Sequence, residues 1–270
     1  MPSVSAYREY LPSARLARYV ECYWSRGDEH DQGAHSVLPD GCADILFTSR
    51  RDEPEGLTVV GLMTTPLSVK DEQGRSHFGV RFRPGMAAAF LPEAASLNDR
   101  IEPLESLWGK TARELFAKLA ESASPLQMTA LVEEALRPLE PPDAARRVLW
   151  RLPNTELPLE KLVSDAGLSE RHFRRECIER TGVSPKYLRR ILRFRAAVQR
   201  IRALASRTSQ PSWAQLAAAC QYYDQAHFIR DFQEFAGCTP GRFLQSLRSA
   251  AGIESRDNEP AKARKSNRLH

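Results

Sequence analysis

The chain has 270 residues, 42% of them hydrophobic and four of them Trp, with 39 Lys and Arg against 34 Asp and Glu for a formal net charge of +5 at pH 7. That length accommodates two domains with real cores, and that apolar content excludes a mainly disordered protein. The positive balance favours an anionic partner, although solubility alone accounts for a balance of this size.

The opening Met1-Pro2-Ser3-Val4-Ser5 has neither a basic segment nor an apolar run. No stretch approaches the ~20 apolar residues of a membrane span, so a cytoplasmic protein with no membrane partner is expected. Five Cys residues, odd in number and without a CxxC pair, fit a reducing compartment and free thiols packed as small hydrophobes.

From residue 1 to about 95 the chain reads as strand and turn. Short apolar runs at 20–24, 44–48, 57–60 and 77–82 are separated by Pro39-Asp40-Gly41, Asp52-Glu53-Pro54-Glu55-Gly56 and Glu72-Gln73-Gly74. This pattern predicts a compact β-barrel or sandwich. Arg81 and Arg83 alternate with Val80 and Phe82, so they share a strand face; they are candidates to clamp the carboxylate of a small effector, against the plainer reading of surface strand charge. Asp28, His30, Asp31 and His35 crowd one stretch, but Gly27, Gln32 and Gly33 make it a solvated loop, and neither a metal nor a cofactor is expected. The chain holds no nucleophile elbow, phosphate loop or HExxH, so it is not read as an enzyme.

From Leu97 the periodicity becomes helical. Thr111 and Glu114 form a capping-box pattern for a helix to Ala120. A second helix from Pro125 to about Leu136 carries the stripe Leu131, Val132, Ala135, Leu136 and Leu139, which either covers the barrel or faces a second copy in a homodimer. Pro138, Pro141 and Pro142 then stop regular structure. The expected organisation is a sensor and dimerisation unit at 1–140, an all-α unit at 143–250, and a basic, disordered tail at 251–270. The fold class is therefore α+β, with a β-rich unit and its trailing helices preceding an all-α unit.

The all-α unit contains the same signal twice. Leu162, Ala166, Gly167 and Leu168 return 54 positions later as Leu216, Cys220, Gln221 and Tyr222; after one inserted residue, Ser169, Phe173 and Arg175 return 55 positions later as Asp224, Phe228 and Arg230. Thr181-Gly182-Val183-Ser184-Pro185 then matches Ala236-Gly237-Cys238-Thr239-Pro240. Each copy reads as a short helix, a tight turn and a capped second helix, the layout of a helix-turn-helix that presents one helix to the major groove of DNA. Gln221 stands where Gly167 suits a positive φ, a conformation that costs a residue bearing a side chain. A long helix from Pro185 to about Ala205 joins the copies; at 1.5 Å per residue it is about 30 Å long, close to the ~34 Å between successive major-groove faces.

Arg dominates from 171 to 207, where the only acids are Glu176 and Glu179. On the first recognition helix, 169–180, Phe173 and Cys177 mark the buried face, leaving Arg171, Arg174 and Arg175 as candidates for bidentate bonds to guanine. On the second, 224–235, the candidates for base contact are Gln225, His227 and Arg230, with Asp224 as the N-cap. Lys186, Arg189, Arg193 and Arg200 on the joining helix are phosphate candidates.

Residues 145 to 249 resemble the AraC/XylS family of bacterial transcription regulators. The resemblance is carried by Ala166-Gly167-Leu168-Ser169-Glu170-Arg171-His172-Phe173-Arg174-Arg175, by Tyr222-Tyr223-Asp224-Gln225-Ala226-His227-Phe228-Ile229-Arg230-Asp231-Phe232, and by Gly237-Cys238-Thr239-Pro240. It implies promoter DNA as a partner, RNA polymerase for an activator, and the six base-reading positions named above. Residues 7 to about 135 are similar to the cupin-like sensor domain of one subgroup through 38–47 and Gly79-Val80-Arg81-Phe82-Arg83-Pro84-Gly85. Two further readings are an architectural DNA-binding protein and a DNA-tethered alkyl-transfer regulator; the second needs a reactive Cys, with Cys22 and Cys42 the ones in the barrel.

Overall fold

The computed structural model describes residues 7–27, 34–70, 73–91, 93–137, 143–206 and 211–250. The acidic and His residues at 28–31, Leu139, the boundary prolines and the tail 251–270 lie outside the described residues. No helix among those described is long and apolar enough to cross a membrane.

Period-two alternation builds the amino-terminal sheet. Strands β1 (Arg8–Tyr10), β2 (Val20–Arg26), β4 (Ala43–Arg50), β5 (Glu53–Val60), β7 (Arg75–Phe82) and β8 (Ile101–Pro103) form one antiparallel sheet in the order β1-β2-β7-β4-β5-β8, while β3 (Ala34–Val37) pairs with β6 (Leu67–Lys70). Tyr23 and Ile45 both stand opposite Val80, so the central strand β7 aligns three buried side chains. Phe47, Leu57, Val59, Phe78 and Phe82 extend the same buried face. The turn between β4 and β5 is shorter than the sequence suggested. Arg51 and Asp52 both take positive φ, 49° and 68°, which closes a two-residue hairpin and frees 53–56 to join the strand.

Helices cover this sheet. They are α1 (Glu105–Trp108), α2 (Lys110–Ala120) and α3 (Pro125–Ala135). Thr111 does not cap α2: Gly109, at φ 52° and ψ −123°, occupies the N-cap without a side-chain bond, because only that backbone turns sharply enough to separate α1 from α2. The α3 stripe packs inward. Val132 and Leu136 are buried, Arg15 Nη1 donates to the Leu136 carbonyl at 2.9 Å, and Ser13 N donates to Glu133 Oε1 at 2.7 Å. Leu136 is thus committed to the sheet.

The second half is helical throughout, as its periodicity predicts: α4 (Ala144–Arg151), α5 (Leu159–Asp165), α6 (Glu170–Thr181), α7 (Pro185–Leu204), α8 (Trp213–Ala219), α9 (Gln225–Ala236) and α10 (Pro240–Ala250). The two halves share one continuous apolar core. Close backbone approach makes the joint. Leu188 and Leu192 of α7 pack at Gly41, and Asn98 Nδ2 donates to the Thr181 carbonyl at 2.8 Å beside Gly182. A β-bulge re-aims one charge into this joint. Glu21 is the extra residue between Val20 and Cys22 in the β2–β7 ladder, and it pairs with Arg195 of α7, which also donates to Cys42 Sγ at 3.3 Å.

Candidate nucleic-acid interface

Both helix-turn-helix units follow from local rules. In the first, Leu162 and Val163 seat α5, Gly167 turns the chain at φ 72°, and the Ser169 side chain accepts a bond from His172 N to start α6. Phe173 and Cys177 face the core, and Thr181 Oγ1 donates to the Cys177 carbonyl at 2.6 Å. Gly182, at φ 69°, ends the helix. In the second unit Ser212 caps α8, and Asp224 caps α9 by accepting from His227 N at 2.7 Å. Gln221 takes φ 60°, the conformation of its glycine counterpart. An aromatic cluster then fixes α9: Phe194 of α7 lies 5.1 Å from Phe232 and 5.3 Å from Phe235, and Tyr222 lies 5.3 Å from Phe228.

Arg171, Arg174 and Arg175 come together on the exposed side of α6. Arg175 leans towards its own helix, 3.4 Å from Glu176 and 3.7 Å from Glu179, contacts that a solvated side chain exchanges readily. On α9, Gln225 and Arg230 are exposed, whereas His227 is half-buried, with its ring edge-on to Tyr222 and its Nε2 3.6 Å from Asp231 Oδ2. Helices α6 and α9 therefore present different chemistry, three guanidinium groups on one and a mixture of amide, imidazole and guanidinium on the other.

The basic stripe of α7 divides into two populations. Lys186 and Arg200 are exposed, and Arg189 donates to the Leu157 carbonyl at 2.7 Å. Arg193 is turned inward, its guanidinium 5.0 Å over the Tyr222 ring and 3.8 Å from Asp231 Oδ2. Its neighbour Arg190 donates to Asp231 Oδ1 at 2.8 Å and to Glu234 Oε2 at 2.5 Å. Asp231, buried on α9, is a site residue that sequence reasoning missed. An acid at the position after Arg230 on an otherwise apolar face was its only signal, and the two Arg partners lie about forty residues upstream. Arg180 is likewise internal, forked onto both oxygens of Asp143 at 2.8 and 2.6 Å.

In the amino-terminal unit Arg81 meets carboxylates of its own chain, 3.4 Å from Asp44 and 3.7 Å from Asp40. Arg83 donates through Nε to the Ala17 carbonyl at 2.9 Å and borders a cleft of about 140 Å³ between the two halves, shared with Glu21, Trp150, Leu192, Arg195 and Gln199. The cysteines are held as thiols. Burial pushes Cys22 up to about 12 and Cys177 up to about 11, and it raises Cys42, Cys220 and Cys238 as well, in Cys42 against the pull of the adjacent Arg195. Alkyl transfer requires a thiolate, so these surroundings disfavour that chemistry. Among the described residues, no group of three or more His, Cys, Asp or Glu is placed to hold a metal ion.

Residues 8–102 match a family described as a domain of unknown function, DUF6597, and residues 162–246 match a helix-turn-helix domain family. No curated protein matches the chain. Among solved structures it is similar to ToxT from Vibrio cholerae, at 8% identity over 83% of this chain and 98% of that one, with a TM-score of 0.43. A second ToxT structure gives 9% identity over 83% and 98%, with a TM-score of 0.41, and one bound to unsaturated fatty acid gives 9% over 82% and 93%, with a TM-score of 0.39.

Proposed function

We propose that residues 162–246, which match a helix-turn-helix domain family, are an AraC-type DNA-binding domain, and that the protein is a sequence-specific DNA-binding transcription regulator whose helices α6 and α9 enter two successive major-groove segments of one duplex. The observation that carries this reading is the rigid joint between the two motifs. The twenty-residue helix α7, about 30 Å long, joins the motifs and is fastened to α9 by Phe194, Arg190 and Arg193, a joint that suits two helices reading DNA about one turn apart. Arg171, Arg174, Arg175, Gln225, His227 and Arg230 supply base contacts, and Lys186, Arg189 and Arg200 supply phosphate contacts. The functional division is a sensor unit at 1–140 and a DNA-binding unit at 143–250. Its cleft, with Arg83 and Arg195 against the single carboxylate of Glu21 and with Trp150 as an aromatic wall, suits a small anionic effector whose binding is felt directly by α7.

Fluorescence anisotropy with the full chain tests this. A duplex enriched from a randomised pool should bind at least 10³-fold more tightly than random DNA at physiological salt, and both affinities should fall steeply as salt rises. Equal affinity for selected and random duplexes would overturn the reading.

A further inference from the structure

The two repeats differ by one residue, and that residue is Tyr223. The 54-position offset becomes 55 between Tyr222 and Asp224, so the turn of the second motif is one residue longer than that of the first. The residues on either side are tied down. Tyr222 is buried against Phe228, and Asp224 caps α9. Tyr223 between them is 93% exposed, the most exposed large apolar side chain among the described residues, and it stands where α9 begins. Folding gives it no task. Next along the chain, Gln225 and Ala226 are both exposed in the first turn of α9.

We propose that Tyr223 is a specificity-determining residue which, with Ala226, receives a thymine methyl group, so that the second motif reads A·T pairs while the first reads G·C pairs. This inference rests on the DNA-binding reading above. The major groove distinguishes bases by chemistry that matches the two helices. Guanine offers two acceptors to a guanidinium, which α6 supplies three times and α9 once, at Arg230; adenine pairs a donor with an acceptor, which the Gln225 amide complements; and thymine alone projects a methyl group, which takes apolar contacts. A Tyr ring adds a broad apolar face at that contact.

The test uses the full chain and the duplex enriched from a randomised pool. The expected result is a G·C-rich segment and an A·T-containing segment about one helical turn apart. Replacing each thymine of the second segment by deoxyuridine, which removes only the methyl, should then weaken binding by about fourfold per contacted methyl. Tyr223→Ala should weaken binding to the thymine duplex and be nearly indifferent to the deoxyuridine exchange, while Tyr223→Phe keeps the wild-type response. Two segments of the same composition would overturn the proposal, as would an undiminished deoxyuridine effect in Tyr223→Ala. Failure to enrich any duplex would instead bring down the DNA-binding reading, and this inference with it.

Discussion

Replacing Asp231 by Ala should loosen the second motif while leaving the first intact. Asp231 is 3% exposed and is the carboxylate on which α7 and α9 converge: Arg190 donates to Oδ1 through Nη2 at 2.8 Å and through Nε at 3.2 Å, and Arg193 stands 3.8 Å from Oδ2. Removing one partner of a buried ion pair costs about 3–5 kcal/mol. Arg190, however, is 23% exposed and keeps Glu234, so part of that cost is recovered and about 2–3 kcal/mol remains. At 1.4 kcal/mol per factor of ten, amide protection in α9 should fall by roughly 30- to 150-fold. Hydrogen exchange on the full chain, followed by mass spectrometry, reads this segment by segment: α8 to α10 should exchange faster, and α5 and α6 should be unchanged. Glu234→Ala is the control. With Glu234 49% exposed, its loss should cost under about 1 kcal/mol. If α9 in Asp231→Ala exchanged within twofold of the wild type, the joint between linker and recognition helix would not be what holds the second motif.

Gln221→Gly should stabilise the protein by about 1 kcal/mol, because an exposed side chain at φ 60° is replaced by a residue that takes this conformation freely; a lowered midpoint in thermal unfolding would contradict it. Gly182→Ala and Gly237→Ala impose the same backbone penalty, both glycines having φ 69°, but only at Gly182 would the added Cβ come within 2.2 Å of Asn98 Nδ2 and 2.7 Å of the Ala95 carbonyl. Gly182→Ala should therefore be the more damaging of the pair in thermal unfolding, and equal losses would refute the tight joint between the two halves. Burial acts to raise the Glu21 carboxyl, but the Arg195 guanidinium beside it outweighs burial and holds it below the usual carboxylate range. The stability contributed by the pair is thus complete above the ordinary Glu value of about 4.3 and is lost as pH falls through the lowered value. Wild type should exceed Glu21→Gln in urea midpoint at pH 7 and converge with it in acid; a gap that persists unchanged at pH 2 would refute the assignment.

The helical half was legible because its rules are local. Caps at Ser169 and Asp224, the turn at Gly167, and apolar residues at helical spacing all lie within a few positions of what they control, and the structure places each as the sequence predicts. The short strands β1, β3, β6 and β8 were not legible, since three or four residues carry too little alternation to stand out. Arginine roles were the least legible. Arg193 and Arg200 look alike in the sequence, yet one lies over Tyr222 and the other is exposed, and the partner that engages Arg195 is Glu21, 174 positions away. A charge pattern states how many cations a helix carries; only tertiary contacts decide which of them remain for a phosphate. The β2 bulge that aims Glu21 at Arg195 is invisible to periodicity for the same reason, because it exists only relative to the neighbouring strand.

The central claim, two recognition helices held at a fixed distance on one face of one duplex, is tested most directly by changing the distance in the DNA. Five base pairs inserted between the two segments of the selected duplex turn the second segment to the opposite face, and ten restore the face but add ~34 Å to the separation. With α7 a continuous helix fastened to α9 through Arg190, Arg193 and Phe194, both insertions should reduce affinity to the level of a duplex carrying one segment alone. Recovery of full affinity at ten base pairs, or no loss at five, would contradict a rigid linker and the mode of reading built on it.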